Sequence, residues 1–249
     1  MKTTFGFLFT AVLSSATSSV ALAAVSVDPL ATFYDGSDAA VGPTVVNLAA
    51  GTTSIKVSVT GSVVTDNSNP LKPAASADGL ASDGSAPFNF TNTNFGTGPG
   101  SGRHNGVPIG GTTGIDPALF GIFFSPSFAG VAPDSLNFRF DEGLANLSLT
   151  SQSPALNQPF FIGDGFTGNL NFGGVTSGTQ QTFFVPAGAT QLLLGIGADD
   201  FLQDNIGPGF AVEITSVPLP AALPLFALGI AGLARHRRRR ANRPRSRAT

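Results

Sequence analysis

The chain has 249 residues, room for one large all-β domain or two small ones, and its 42% hydrophobic content with 22 Phe exceeds what a disordered polymer carries. The absence of Cys excludes disulfides and thiol nucleophiles, and leaves the redox compartment to be argued from other features. A formal charge of −2 hides a segregation: eight Arg lie at or beyond Arg235, while the middle sets four basic residues against fifteen acidic ones, a net −11 that repels nucleic acid and suits cations.

The opening "MKTTFGFLFTAVLSSATSSVALAAVSVDPL" has one Lys, a short apolar run over residues 5–13, and then small residues. Ala21 and Ala23 occupy the −3 and −1 positions of an A-x-A cleavage site, and the apolar run is too short to span a bilayer. Residues 1–23 are therefore expected to be a signal peptide read by export machinery and removed by signal peptidase. The exported domain is expected over residues 24–216.

Within that domain the elements read as strands. "SIKVSVTG" puts Ile55, Val57 and Val59 on one face at a spacing of two. Residues 67–114 then turn rich in Gly, Ser, Asn and Pro with few apolar anchors, which predicts a long, mobile loop region on the scaffold. "LFGIFF" follows as a continuous apolar run. Alternation returns in "LNFRF" with Leu136, Phe138 and Phe140, and in "ANLSLT" with Leu147 and Leu149. "QPFFIG", "TFFV" and "QLLLGI" are further runs that predict central strands buried on both faces. "GFAVEIT" closes the series, with Phe210, Val212 and Ile214 on one face. Asp164-Gly165, Asn171 to Gly174, and Pro186 to Gly188 supply turn chemistry between them. No window sustains a helical period over three turns, so the expected fold is all-β, a two-sheet sandwich of jelly-roll type with eight to ten short strands.

Chemistry-bearing residues are few. Between "QLLLGI" and "GFAVEI" a loop over residues 197–208 holds Asp199, Asp200, Asp204 and Asn205. Three carboxylates and an amide within seven residues offer oxygens of the kind Ca²⁺ takes, and a bound cation would relieve their mutual repulsion. An ordinary acidic turn is the competing account, because Asp and Asn satisfy turn backbones. Asp164 reads as a hairpin turn residue rather than a ligand.

Of two His, His236 lies among the arginines, and His104 sits in "GSGRHNG", where a catalytic base would lack rigid support. The chain has no H-E-x-x-H and no G-x-S-x-G, and Asp141-Glu142 read as a solvated turn. Catalysis is not expected. Specific sugar stacking has little to work with either, since Trp is absent and Tyr34 is alone.

The C-terminal end reads "VPLPAALPLFALGIAGLARHRRRR". Residues 219–234 would make a helix of about 24 Å, short of a hydrocarbon core of about 30 Å. Pro220 and Pro224 shorten its regular part further. Arg235, Arg237, Arg238, Arg239 and Arg240 would hold the inner end on the cytoplasmic side, a topology that also leaves them unavailable to nucleic acid. The short motif Val217, Pro218, Leu219, Pro220, the weak apolar helix and the Arg cluster together resemble the PEP-CTERM sorting signal in its VPLP-type variant. Two features depart from the commonest pattern: Leu219 stands where Glu is usual, and "ANRPRSRAT" (241–249) extends past the arginines as a basic, disordered tail.

That resemblance covers residues 217–240. It implies an exosortase-like membrane protease as partner, cutting near the motif, in a Gram-negative envelope that makes exopolysaccharide. It implies a chain held briefly in the inner membrane and then passed to the cell surface or the matrix outside. A plain C-terminal anchor is the alternative. A second resemblance, over about 119–215, is to sandwich proteins related to a bacterial calcium-dependent galactose-binding lectin. Its carriers are the "PAGAT" turn at Pro186 to Thr190, the following apolar strand, and Asp204, Asn205 and Gly207. It implies Ca²⁺ at the acidic loop and carbohydrate as a ligand class; a structural surface protein with no specific ligand is the rival.

Overall fold

The computed structural model describes residues 20–33, 41–64, 77–78, 88–91, 102–116, 118–138, 149–167, 178–197 and 206–217. They form β1 (Val20–Val27), β2 (Thr44–Asn47), β3 (Ser54–Val64), β4 (Phe88–Thr91), β5 (Gly102–His104), β6 (Val107–Ile109) and β7 (Thr112–Asp116). The second half adds β8 (Ala118–Phe124), β9 (Leu136–Asn137), β10 (Ser151–Gln152), β11 (Pro159–Phe161), β12 (Thr182–Phe184), β13 (Gln191–Gly197) and β14 (Ile206–Ser216). The fold is all-β. Among the described residues no helix is long and apolar enough to cross a membrane. The expected terminal helices lie outside them.

Two larger sheets share one core. The first has the order β1-β14-β3-β12-β10 and the second β11-β8-β13-β2. All these pairs are antiparallel except β10 with β12. In the five-stranded sheet, alternate residues face inward: Ile55, Val57 and Val59 from β3, and Phe210, Val212 and Ile214 from β14, all buried. Phe160 of β11 and Phe183 of β12 meet between the sheets with ring centroids 5.3 Å apart, and Phe123 of β8 stacks on Phe160 at 4.9 Å. The arrangement is sandwich-like.

Strands β8 and β13 are buried on both faces, which explains their unbroken apolar sequences. Phe123 faces the other sheet, so the alternating Phe120 and Phe124 face away from it. Their cover comes from elsewhere in the chain. Phe138 and Phe161 pack edge-on against Phe120 at 6.0 and 5.6 Å, and His104 meets Phe124 edge-on at 5.2 Å. Phe33 lies over Gly195, where a Cβ would strike its ring.

Part of this outer layer comes from residues 67–114, which the sequence marks as loop-rich. Where described, that stretch carries strands: β4 and β7 join β9 in a three-stranded sheet, and β5 pairs with β6. The hairpin between β5 and β6 turns at Asn105 (φ 50°) and Gly106 (φ 78°), the left-handed pair that a two-residue hairpin of this type requires. "HNGV" signals that turn in the sequence.

Other expectations are revised. In "TFFV" only Phe183 is buried; Phe184 is 46% exposed, because the five-stranded sheet has its second face toward solvent there. Leu149 is 43% exposed and precedes β10 rather than lining the core. In "LNFRF" the described residues Leu136 and Asn137 form β9, with Phe138 just beyond it buried against Phe120; residues 139–148, with Phe140 and Leu147, lie outside the described residues, as do 171–174.

Candidate functional site

The described residues bring two carboxylates together at one end of β11 and β8. The Ala77 carbonyl accepts Leu119 N–H at 2.9 Å, and Asp78 bridges to Ala118, which lays this short segment along the start of β8. Asp78 Oδ1 then accepts the backbone N–H of Asp164 at 2.9 Å. Asp164 sits in the turn after β11, closed by Gly165 N–H to the Ile162 carbonyl at 3.0 Å, and its own Oδ1 accepts Phe166 N–H at 2.8 Å. Gly163 between them has φ 58°, and a Cβ there would fall on Asp78 Oδ1, so only glycine both makes this turn and admits the carboxylate.

The electrostatics follow from that placement. Burial pushes Asp78 up to about 7, the neighbouring Asp164 charge adds to the rise, and the N–H of Asp164 opposes it. Burial also raises Asp164, against the hydrogen bond from Phe166. Near neutrality the pair thus takes up a proton, with carboxyl Asp78 keeping an acceptor oxygen on the Asp164 amide. The arrangement clasps the segment before β8 to the turn after β11. Two acids form it, and among the described residues no group of three or more His, Asp or Glu could hold a metal ion.

Sequence reasoning took Asp164 as a turn residue, and the turn is there. It did not find Asp78, which stands in "SADGLAS" with no periodicity to mark it.

His104 is not in a soft loop. It ends β5, is 8% exposed, and uses both ring nitrogens. Nδ1 lies 3.0 Å from the Phe33 carbonyl, which can only accept, so Nδ1 carries the proton; Nε2 lies 3.0 Å from Asn105 Nδ2 and accepts from it. This neutral imidazole ties the hairpin to the residues that cover β13.

Asn157, fully buried with φ 63°, does the same on the other side. Its Oδ1 accepts Ser125 N–H at 3.1 Å and its Nδ2 donates to the Pro108 carbonyl at 3.0 Å. Both are polar staples between the outer layer and the four-stranded sheet.

The remaining sequence candidates fall at or beyond the described boundaries. Gly197 ends β13 and Ile206, Gly207 and Pro208 belong to β14, so the acidic loop is shorter than 197–208. It connects a strand of the four-stranded sheet to one of the five-stranded sheet. Asp199, Asp200, Asp204 and Asn205 lie outside the described residues, as do Pro218, Leu219, Pro220, Arg235, Arg237, Arg238, Arg239 and Arg240.

Ala21 and Ala23 are described, and they lie within β1, paired with Thr215 and Ile214 of β14. Val217 follows β14, and its N–H donates to the Ser54 carbonyl at 2.9 Å. The compact unit containing all the described strands spans Ser19–Val217. No protein-family profile, curated protein or solved structure matches this chain.

Proposed function

We propose that this is an exported protein of a Gram-negative envelope, sorted through its C-terminal signal and acting in an exopolysaccharide-associated surface layer. The leader sends the chain outward, residues 219–234 hold it in the inner membrane, and an exosortase-like protease cuts beyond Val217. The released domain, a jelly-roll sandwich, acts by binding and cohesion rather than by catalysis. What supports the reading is the ending of the sheet: its last hydrogen bond falls on Val217, the first residue of the sorting motif. Pro218 and Pro220 have no N–H with which to extend the ladder. A cut past Val217 therefore leaves the sheet whole.

Intact mass of the exported protein tests this. Loss of the Arg-rich tail after about Val217 is the expected result; a tail retained at all growth stages replaces the reading with a permanent inner-membrane anchor.

For the molecular activity we propose Ca²⁺ at Asp199, Asp200, Asp204 and Asn205, with carbohydrate of the exopolysaccharide as the ligand class. The support is the chemistry of the donor set together with the loop's place between strands of the two sheets. Millimolar Ca²⁺ should raise the melting temperature of the wild type and leave an Asp204→Ala variant unmoved. Equal shifts in both, or none in either, leave a structural surface protein without a specific ligand.

A further inference from the structure

The turn between β5 and β6 is built from Asn105 and Gly106, both exposed and both in the left-handed region. The pair suits the hairpin, and it also leaves the asparagine open to attack by its own backbone. Glycine has no Cβ, so its amide nitrogen approaches the preceding side-chain carbonyl with little obstruction. The hairpin supplies the freedom that this approach needs. β5 and β6 are three residues each and make a two-stranded sheet of their own, an arrangement marginal in water by itself. Its exposed tip therefore opens locally more readily than the larger sheets do.

At that tip the Asn105 side chain has a specific task. Its Nδ2 donates to His104 Nε2 at 3.0 Å, while His104 Nδ1 donates to the Phe33 carbonyl at 3.0 Å. The same ring packs edge-on against Phe124 at 5.2 Å. A buried imidazole stays neutral here because its Nε2 lone pair meets an N–H. That contact depends on a donor at position 105.

We propose that Asn105 is a deamidation site, and that its conversion to a carboxylate turns the His104 staple from a neutral contact into an ion pair. When the tip opens, the Gly106 nitrogen bonds to Asn105 Cγ and gives up its proton. The Cγ–Nδ2 bond breaks, and the side-chain nitrogen leaves as ammonia. Water then opens the five-membered imide. Attack at Cγ restores the backbone and leaves an aspartate; attack at the main-chain carbonyl leaves an isoaspartate, with the chain routed through Cγ. One water enters for each ammonia lost.

In the aspartate product two acceptors face each other, the new carboxylate and the Nε2 lone pair. The imidazole resolves this by binding a proton on Nε2 and donating it to the carboxylate, while Nδ1 keeps the Phe33 carbonyl. From the other elements the described neighbours of the ring are that carbonyl and the Phe124 ring. Arg103, next along β5, is exposed and donates to the Gly106 carbonyl. The carboxylate therefore raises His104 above its ordinary value of about 6.5. The stability linked to that proton is present in full below about 6.5 and is lost as pH rises through the raised value. A long-lived copy of the chain thus loosens its hairpin from Phe33 and Phe124 in alkaline surroundings, where a fresh copy does not.

The test holds the purified full-length chain in mildly alkaline buffer and digests it at intervals. Peptide masses should place a gain equal to the difference between OH and NH₂ at Asn105, shared between aspartate and isoaspartate. Asn105→Gln, whose ring closure would need six members, should stay unconverted at that position. A folded wild type that keeps its amide at Asn105 overturns the proposal, as does equal conversion in the Gln variant.

Nitrogen NMR of the imidazole, in a His236→Gln background, reads the consequence. Asn105→Asp should raise the pH at which His104 loses its proton by at least about one pH unit. The converted wild type, which folds before it changes, gives the same reading if the variant does not fold. An unmoved His104 overturns the proposal even where conversion occurs. Melting curves should show Asn105→Asp falling further below its parent from acidic to alkaline pH, and a constant gap overturns the ion pair.

Discussion

The two larger sheets solve the problem of burial differently. In the four-stranded sheet β8 and β13 are covered on both faces, by the sandwich core within and by Phe33, His104 and Phe138 without, while β2 at its edge exposes Val45. The five-stranded sheet buries one face and leaves residues such as Phe184 and Glu213 toward solvent. The first is the more deeply buried of the two, and the second carries Ala21 and Ala23, the proposed leader-cleavage residues, on its β1–β14 margin. Rigidity and access are divided between them.

Truncating a residue on the doubly covered sheet should break that contrast most severely. Phe120→Ala removes a fully buried ring that meets Phe138 and Phe161, at an expected cost of about 3–5 kcal/mol by denaturant titration. Asn157→Ala should follow, at about 2–4 kcal/mol in the same titration. It strips the Ser125 amide of its acceptor, the Pro108 carbonyl of its donor, and places Ala at φ 63°.

Asp78→Asn should act in the other direction. Asp78 is raised to about 7 in the fold from an ordinary value of 3.8, so the folded state binds the extra proton. The stability linked to that proton is present in full below about 4 and is lost as pH rises toward about 7. The wild type should therefore lose stability across that window, and Asp78→Asn, which keeps an oxygen for the Asp164 amide, should flatten this part of the profile. At pH 8 the gain should be on the order of 2 kcal/mol, discounted because Asp78 is only half-buried. Melting curves from pH 4 to 8 measure it.

The smallest effect is expected on the open sheet: Phe184→Ser should change stability by no more than about 0.5 kcal/mol in the same assay.

How much of this was legible in the sequence depends on which sheet is considered. The runs "LFGIFF" and "QLLLGI" announced strands buried on both faces, and β8 and β13 are such strands, because only a doubly covered strand tolerates apolar residues at every position. The alternation in β3 and β14 was equally readable. "TFFV" misled, since a three-residue strand on an open sheet looks like a fragment of a longer buried one.

The outer layer was hidden for another reason. Its contribution comes through single residues, His104, Asn157 and Phe138, which join segments distant in sequence and leave no period in the chain. The Asn105-Gly106 turn was the one local signal there. The clasp of Asp78 on Asp164 joins residues separated by 86 positions, and nothing local in "SADGLAS" points to it.

The placement of β14 between β1 and β3 has a consequence for how the molecule is made. The last strand of the domain completes a sheet begun by the first, so that sheet closes only when nearly the whole polypeptide is present. Such high contact order makes folding slow and leaves runs like that of β8 unprotected meanwhile. The surplus of carboxylates over amines in the middle of the chain then acts as a solubiliser, keeping nascent copies apart by mutual repulsion until the final strand arrives.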